Sequence, residues 1–101
     1  MHKGDVAFLH MKKLLRAGDV LDENEYKAIF LQYDEKKESI LFLLQLGKLT
    51  DLSLDAIYEC WIQTEKEGLG CTGRIVERYC GTAGKMFKLE IENGFYKINL
   101  K

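Results

Sequence analysis

The sequence predicts a mainly β fold, a small six-stranded antiparallel barrel preceded by a short N-terminal helix, in a single domain of 101 residues. Three observations support this prediction. An Asn-Gly pair near the C-terminus separates two runs in which apolar and polar residues alternate, which is typical of a hairpin. A polar tetrapeptide at residues 34–37 divides two β-capable apolar runs, and residues 56–63 fit a strand with one wholly apolar face. Such short, closely spaced strands favour a barrel that closes on itself and hides its edges.

The N-terminal segment predicts a helix over residues 6–17, so that residues 1–18 form the helix and residues 19–101 the barrel. Asp5 is a suitable N-cap and Gly18 a suitable C-terminal stop. The apolar side chains that form its stripe are Phe8, Met11, Leu14 and Leu15. We expect this helix to cover the outside of the sheet.

Residues 25–46 fit either a helical stripe or two strands, and we interpret them as strands with a turn at residues 34–37. Residues 40–44 are apolar on both faces. A strand of this kind is covered on both sides. We expect the barrel core on one side and either the N-terminal helix or another subunit on the other.

Residues 56–63 predict a strand with two different faces. The face predicted to be core consists of Ala56, Tyr58, Cys60 and Ile62. Trp61 and Ile57 lie on the opposite face, where an exposed tryptophan can anchor a partner. Burial of Trp61 beneath the N-terminal helix is the alternative.

The last strands are predicted at residues 71–79 and in a C-terminal hairpin. A type I′ turn at Asn93-Gly94 would pair residues 86–92 with residues 95–100 and place Glu90 opposite Lys97. The six strands would then follow one another as a meander.

The composition excludes several classes of function. A formal net charge of −1 gives no general attraction to nucleic acid or to an anionic membrane, and no apolar run approaches the length of a membrane span. With no signal sequence in view, we expect a cytoplasmic protein. Cys60, Cys71 and Cys80 lack the spacing of zinc ligands and are interpreted as reduced packing thiols. No nucleophile and base, metal cluster or phosphate loop is visible, so neither an enzyme nor a cofactor is predicted.

The segment at residues 50–58, Thr-Asp-Leu-Ser-Leu-Asp-Ala-Ile-Tyr, resembles the PilZ family of six-stranded barrels, whose D/N-x-S-x-x-G motif precedes the third strand. The order of strands over residues 20–100 is similar as well. The resemblance implies a bacterial receptor for cyclic di-GMP. Asp51 and Ser53 match the motif residues that contact guanine, whereas Ala56 stands in place of the glycine.

In the PilZ family an arginine pair before the first strand grips the phosphates of the ligand. The basic candidates at that place in this chain are Lys12 and Arg16, and lysine lacks the bidentate grip of arginine. We therefore predict a degenerate PilZ-like regulatory module that acts through a protein partner or self-association, without high-affinity cyclic di-GMP binding. The alternative is a cyclic di-GMP receptor that uses Asp51, Ser53, Lys12 and Arg16.

Overall fold

The computed structural model describes residues 1–16, 18 and 20–98. Its elements are β1 (Val6–Leu14), β2 (Glu25–Asp34), β3 (Ser39–Leu46), a 3₁₀ turn (Leu49–Asp51), β4 (Ala56–Gln63), β5 (Gly68–Gly81), β6 (Gly84–Ile91) and β7 (Tyr96–Ile98). The strands from residue 25 to residue 81 lie close to their predicted places. The mainly β class is therefore confirmed.

Six strands form a closed antiparallel barrel in the order β4-β1-β2-β3-β6-β5, and β4 pairs again with β5 to complete the ring. The short β7 adds to β5 beside Gly68–Gly70. The predicted barrel is confirmed, but the predicted meander is wrong. The chain leaves β3, crosses through the 3₁₀ turn and enters β4, which lies beside β1 and β5 rather than beside β3.

The N-terminal helix is wrong, because residues 6–14 form β1. Ala7, Leu9 and Met11 point into the core at alternate positions, which is the period of a strand. Paired with β2 on one side and β4 on the other, β1 satisfies its backbone by closing the barrel. No α-helix lies on the described part of the chain, so no helix covers β2 and β3. Leu41 and Leu43 on the outer face of β3 are half-buried instead.

The C-terminal hairpin is also wrong. β6 pairs with β3 and β5, whereas β7 pairs with β5, so Asn93-Gly94 lies in a connection between strands that are not paired with each other. Gly94 has a positive φ of 75°, but Asn93 does not, and a type I′ turn needs both. The ion pair predicted between Glu90 and Lys97 is absent, since the Lys97 Nζ lies 3.5 Å from the Glu67 Oε2. The pairings predicted for residues 99 and 100 lie outside the described residues.

The core fills the inside of the barrel with large side chains from every one of its six strands. The predicted core face of β4 is buried as expected. Phe42 stacks on Phe87, its partner in the register of β3 and β6, with ring centroids 5.3 Å apart. Cys60 and Cys71 face each other across β4 and β5 inside this core, and burial raises the pKa of the Cys60 thiol. These two cysteines therefore serve as small apolar packing groups.

Candidate functional site

Buried residues of the core hold the loop that carries Asp51 and Ser53. Leu52 between them is fully buried in the core. The Tyr58 hydroxyl accepts a hydrogen bond from the Ser53 backbone N–H at 2.9 Å, and the Asp55 N–H donates to Ser53 Oγ at 3.0 Å. The Ser53 side chain thus stabilises its own turn, as serine often does.

On the outer surface of the barrel, Arg78 contacts the same loop. Its guanidinium donates hydrogen bonds to the carbonyl oxygens of Thr50, at 3.2 Å, and of Leu52. Arg78 lies on β5, far along the chain from the loop. The loop is therefore hydrogen-bonded from the core side by Tyr58 and from the outer side by Arg78.

Asp51 and Ser53 open onto a wide cavity of about 440 Å³. Its apolar side is formed by Met11, Leu14 and Val20, and its polar side by Asp22, Asn24, Asp51 and Ser53. Two carboxylates line it, and none of the described residues that line it is basic. Such a cavity repels phosphate groups rather than attracting them.

Asp22 is held within this cavity by local hydrogen bonds. It accepts one from the Tyr26 hydroxyl and one from the Asn24 N–H, the latter at 2.9 Å. Burial, followed by the hydrogen bond to Asp22 and its charge, raises the pKa of Tyr26 well above its usual range. The tyrosine consequently stays neutral and continues to donate to the carboxylate at ordinary pH.

The two basic residues of the predicted ligand site do not join Asp51 and Ser53. The Lys12 Nζ lies 3.8 Å from the Glu59 Oε2 on the outside of the barrel. The Arg16 guanidinium lies 3.6 Å from the Asp55 carboxylate. Each cation has an acidic neighbour, and neither lines the acidic cavity. The structure thus brings together two of the four predicted ligand residues.

Trp61 faces outward, as predicted, and it lies in a row of aromatic side chains. The register runs from Phe8 on β1 to Trp61, then to Gly70 on β5 and to Tyr96 on β7. Phe8, Trp61 and Tyr96 are 36%, 42% and 46% exposed. A Cβ on Gly70 would clash with the ring of Tyr96, so this ring covers the backbone of β5. We call these three side chains the aromatic row.

A small apolar cleft of about 200 Å³ lies beside the aromatic row. It is lined by Phe8, Trp61, Ile62, Gln63, Gly68 and Ile98. Gly68 lies between Gln63 and Ile98 in the register. Because glycine has no side chain, the backbone of β5 forms the bottom of the cleft at this position. Ile57, the second predicted partner residue, is half-buried and lies between Lys13 and Arg74, outside the cleft.

Contacts at its edge orient Trp61. The indole Nε1 donates a hydrogen bond to the Glu59 Oε1 at 3.0 Å, and the His10 ring meets the indole edge-on at a centroid distance of 6.0 Å. Partial burial and then the charge of Glu59 raise the pKa of Tyr96, while a hydrogen bond with Trp61 opposes the shift. The aromatic row is therefore a pre-oriented surface, and its exposed rings can make contact without large loss of side-chain entropy.

Phe8, Tyr96 and Ile98 were not foreseen at this face. The signal available was the pair Gly68 and Gly70, whose spacing leaves one face of a strand without side chains. Identifying the neighbours of that face required the pairing of β1 and β7. The sequence instead predicts a helix at residues 6–17 and pairs residues 95–100 with residues 86–92, so neither pairing follows from it.

Two searches of the described residues concern other kinds of site. Residues 1–16, 18 and 20–98 hold no group of three or more His, Cys, Asp or Glu side chains placed to bind a metal ion. Over the same residues, no helix has the length and apolar character that crossing a membrane requires.

No family model, curated protein or solved structure matches the chain.

Proposed function

We propose that this chain is a non-enzymatic binding and regulatory module, a degenerate PilZ-like barrel that acts through protein contacts and lacks high-affinity cyclic di-GMP binding. The observation that carries the proposal is the aromatic row beside its apolar cleft. Exposed aromatic side chains that cluster on one face mark interaction surfaces, and tryptophan and tyrosine are enriched among the residues that contribute most binding energy. A closed barrel of six strands supports the PilZ-like part of the proposal, although β1 supplies its first strand and the loop with Asp51 and Ser53 precedes its fourth strand.

The proposed contact is tested by partner capture from an extract of the cells that encode the chain. Wild-type protein, Trp61→Ala and Leu46→Ala would be immobilised side by side. Leu46 is a matched control, because it is an apolar side chain, 62% exposed, at the end of β3 and outside the aromatic row. We expect a partner that is retained by wild type and Leu46→Ala and lost by Trp61→Ala.

Capture would then be repeated with the purified partner and each of the three proteins. A partner that binds Trp61→Ala as tightly as wild type would contradict the role of the aromatic row. Far-UV circular dichroism of each variant would establish that the barrel remains folded.

The alternative is a cyclic di-GMP receptor, and one observation favours it: Asp51 and Ser53 line a single cavity large enough for part of a nucleotide. The electrostatics oppose it, because Asp22 adds a second carboxylate and Lys12 and Arg16 lie against Glu59 and Asp55. We expect calorimetric titration with cyclic di-GMP to show no binding with a Kd below about 1 μM. Sub-micromolar binding that Asp51→Ala abolishes would establish the alternative.

A further inference from the structure

We infer that the protein partner of the aromatic row is a second copy of this chain, docked face to face on the outer surface of β4, β1, β2 and β3. The inference rests on the proposed function and names the partner of the same surface. It follows from a continuous band of apolar side chains on this surface, from the area of that band and from the position of one lysine.

The apolar surface extends well beyond the aromatic row. Phe8 on β1 pairs with Trp61 on β4, and two positions earlier on β1 Val6 pairs with Ile29 on β2, which in turn pairs with Leu43 on β3. These positions alternate with core positions along each strand, so their side chains share the outer side of the barrel. We call Val6, Phe8, Ile29, Leu43 and Trp61 the outer face.

Further apolar side chains lie at the rim of the outer face. They are Leu46 on β3, Met86 on β6 and Tyr96 on β7. In the described part of the chain no α-helix lies over these strands. Leu46 is 62% exposed, but a rim position contributes little binding energy, so Leu46→Ala remains a suitable control for Trp61→Ala.

The apolar area of the outer face and its rim matches a small homodimer interface. Phe8, Trp61 and Tyr96, with exposed fractions of 36%, 42% and 46%, expose about 200–300 Å² at roughly 150–250 Å² per aromatic side chain. The other five side chains add about 100–200 Å² at roughly 60–120 Å² each when fully exposed. An interface of about 600–1,000 Å² per partner that is about 65% apolar, as in homodimers, needs about 400–650 Å². The available area therefore suffices for a dimer that dissociates at low concentration.

Shape and net charge also favour a second copy. The outer face is the surface of a four-stranded sheet, and such surfaces pack on one another about 10 Å apart with interdigitating side chains. In a two-fold dimer both copies present this same surface, so apolar side chains meet apolar side chains from either direction. The formal net charge of −1 leaves little repulsion between the copies.

Lys27 indicates how the two copies face each other. It lies between Phe8 and Leu46 in the register, and none of the ion pairs among the described residues includes it. A two-fold axis parallel to β1 sets β2 of each copy against β4 of the other. Lys27 then lies over the exposed Trp61 ring of the second copy in a cation–π contact, whereas an axis along the row of Lys27 and Phe8 sets the lysine against itself.

Sedimentation equilibrium of the full chain between about 5 and 500 μM tests the inference, and we expect a reversible dimer. Ile29→Asp should abolish the dimer, because it buries a carboxylate in the interface. The matched control is Val76→Asp on β5, outside the outer face and 47% exposed, which should leave the dimer unchanged. Trp61 is the single tryptophan of the chain, so its emission should shift to longer wavelength on dilution as water reaches the indole.

A disulfide cross-link tests the orientation and does not depend on the folding of Ile29→Asp. The axis along β1 brings Val6 of the two copies together. In a Cys80→Ser background, Val6→Cys should give a covalent dimer with the thiol oxidant diamide, and the matched Val76→Cys should stay monomeric on a non-reducing gel. Cys60 and Cys71 are buried and do not compete. Equal cross-linking of the two variants would overturn the inference.

Failure of the inference and failure of the proposed function give different results. If the inference holds, capture from the extract returns the chain itself. A protein that stays monomeric, while capture returns a different protein that Trp61→Ala loses, would overturn the inference and leave the proposed function standing. A dimer that Ile29→Asp does not weaken would use another surface and would overturn it as well. If no protein, this chain included, binds in a way that depends on Trp61, the proposed function itself fails.

Discussion

Tyr26 shows how one side chain joins the core to the acidic cavity. Its ring is fully buried and meets the Tyr58 ring at a centroid distance of 6.5 Å. Its hydroxyl donates to Asp22 at the cavity. Burial is the main cause that raises the pKa of both Tyr26 and Tyr58 above the ordinary value near 10. Both phenols therefore remain protonated in the folded barrel at pH values where an unfolded chain loses those protons.

This difference predicts lower stability at alkaline pH. Above about pH 10 the unfolded chain binds fewer protons than the folded chain, so the free energy of unfolding falls as pH rises. The contribution is fully present below pH 10. Urea unfolding between pH 8 and pH 11 should show this fall, and Tyr26→Phe should make it shallower. Lysines deprotonate in both proteins, so equal slopes for wild type and Tyr26→Phe would contradict the assignment to Tyr26.

Gly73 and Gly94 should respond to alanine for different reasons. A Cβ at Gly73 would lie 2.9 Å from the Glu90 carbonyl carbon and 3.2 Å from the Ile91 Cα, both of them backbone atoms of β6. Gly94 has open space around it, but its φ of 75° disfavours a side chain. We expect Gly73→Ala to cost about 1–3 kcal/mol. Gly94→Ala should cost about 1–2 kcal/mol.

Urea unfolding of the two glycine variants at neutral pH measures both effects. A Gly73→Ala protein as stable as wild type would mean that β5 and β6 separate easily at this point. The positive φ of Gly94 follows from the sequence, because glycine accommodates it without steric cost. Its place in a tight hairpin does not follow, since a connection between unpaired strands uses the same conformation.

At the scale of elements, β1 provides the clearest test of the architecture. Leu9 is fully buried, whereas its neighbour Phe8 is partly exposed on the outer face. We expect Leu9→Ala to cost about 2–5 kcal/mol, because it leaves a cavity among packed side chains. Phe8→Ala should cost clearly less, since part of its ring already contacts water. Urea unfolding of the pair would contradict a strand at residues 6–14 if Phe8 proved as costly as Leu9.

Strands whose signal is local were predicted well from the sequence. The alternation of two faces over residues 56–63 predicts β4, and the polar break at residues 34–37 predicts the turn between β2 and β3; the structure confirms both. The core face of β4 and the outward direction of Trp61 followed from that alternation. In each case the information lies within about ten consecutive residues.

Elements whose identity depends on distant partners were predicted poorly. Residues 6–17 offer a helical stripe and also the alternation of Ala7, Leu9 and Met11, and only the edges presented by β2 and β4 select the strand. At the C-terminus, β6 pairs with β5 and, across more than 40 residues of sequence, with β3, but not with β7. The aromatic row depends on the pairing of β1 with β4 and of β7 with β5, so the sequence alone indicates only Trp61.

For the whole molecule, charge balance and the exposed aromatic row set the behaviour in solution. The amino-acid composition gives an isoelectric point of about 6.1, so repulsion between molecules should be weakest slightly below neutral pH. We expect light scattering at high protein concentration to peak near pH 6 and to fall by pH 8. Trp61→Ser should reduce the peak, because it removes apolar surface from the cleft. A peak of unchanged height in that variant would show that other surfaces drive the association.

The crossing of the chain from β3 to β4 affects the order in which the barrel assembles during translation. β1 leaves the ribosome first, but its second edge waits for β4, and the second edge of β3 waits for β6. At about 5–20 residues per second, the nascent chain carries unpaired apolar strands for several seconds. Until β6, which ends at residue 91, has emerged, the nascent chain therefore offers unpaired apolar strands to any chaperone that binds extended apolar segments.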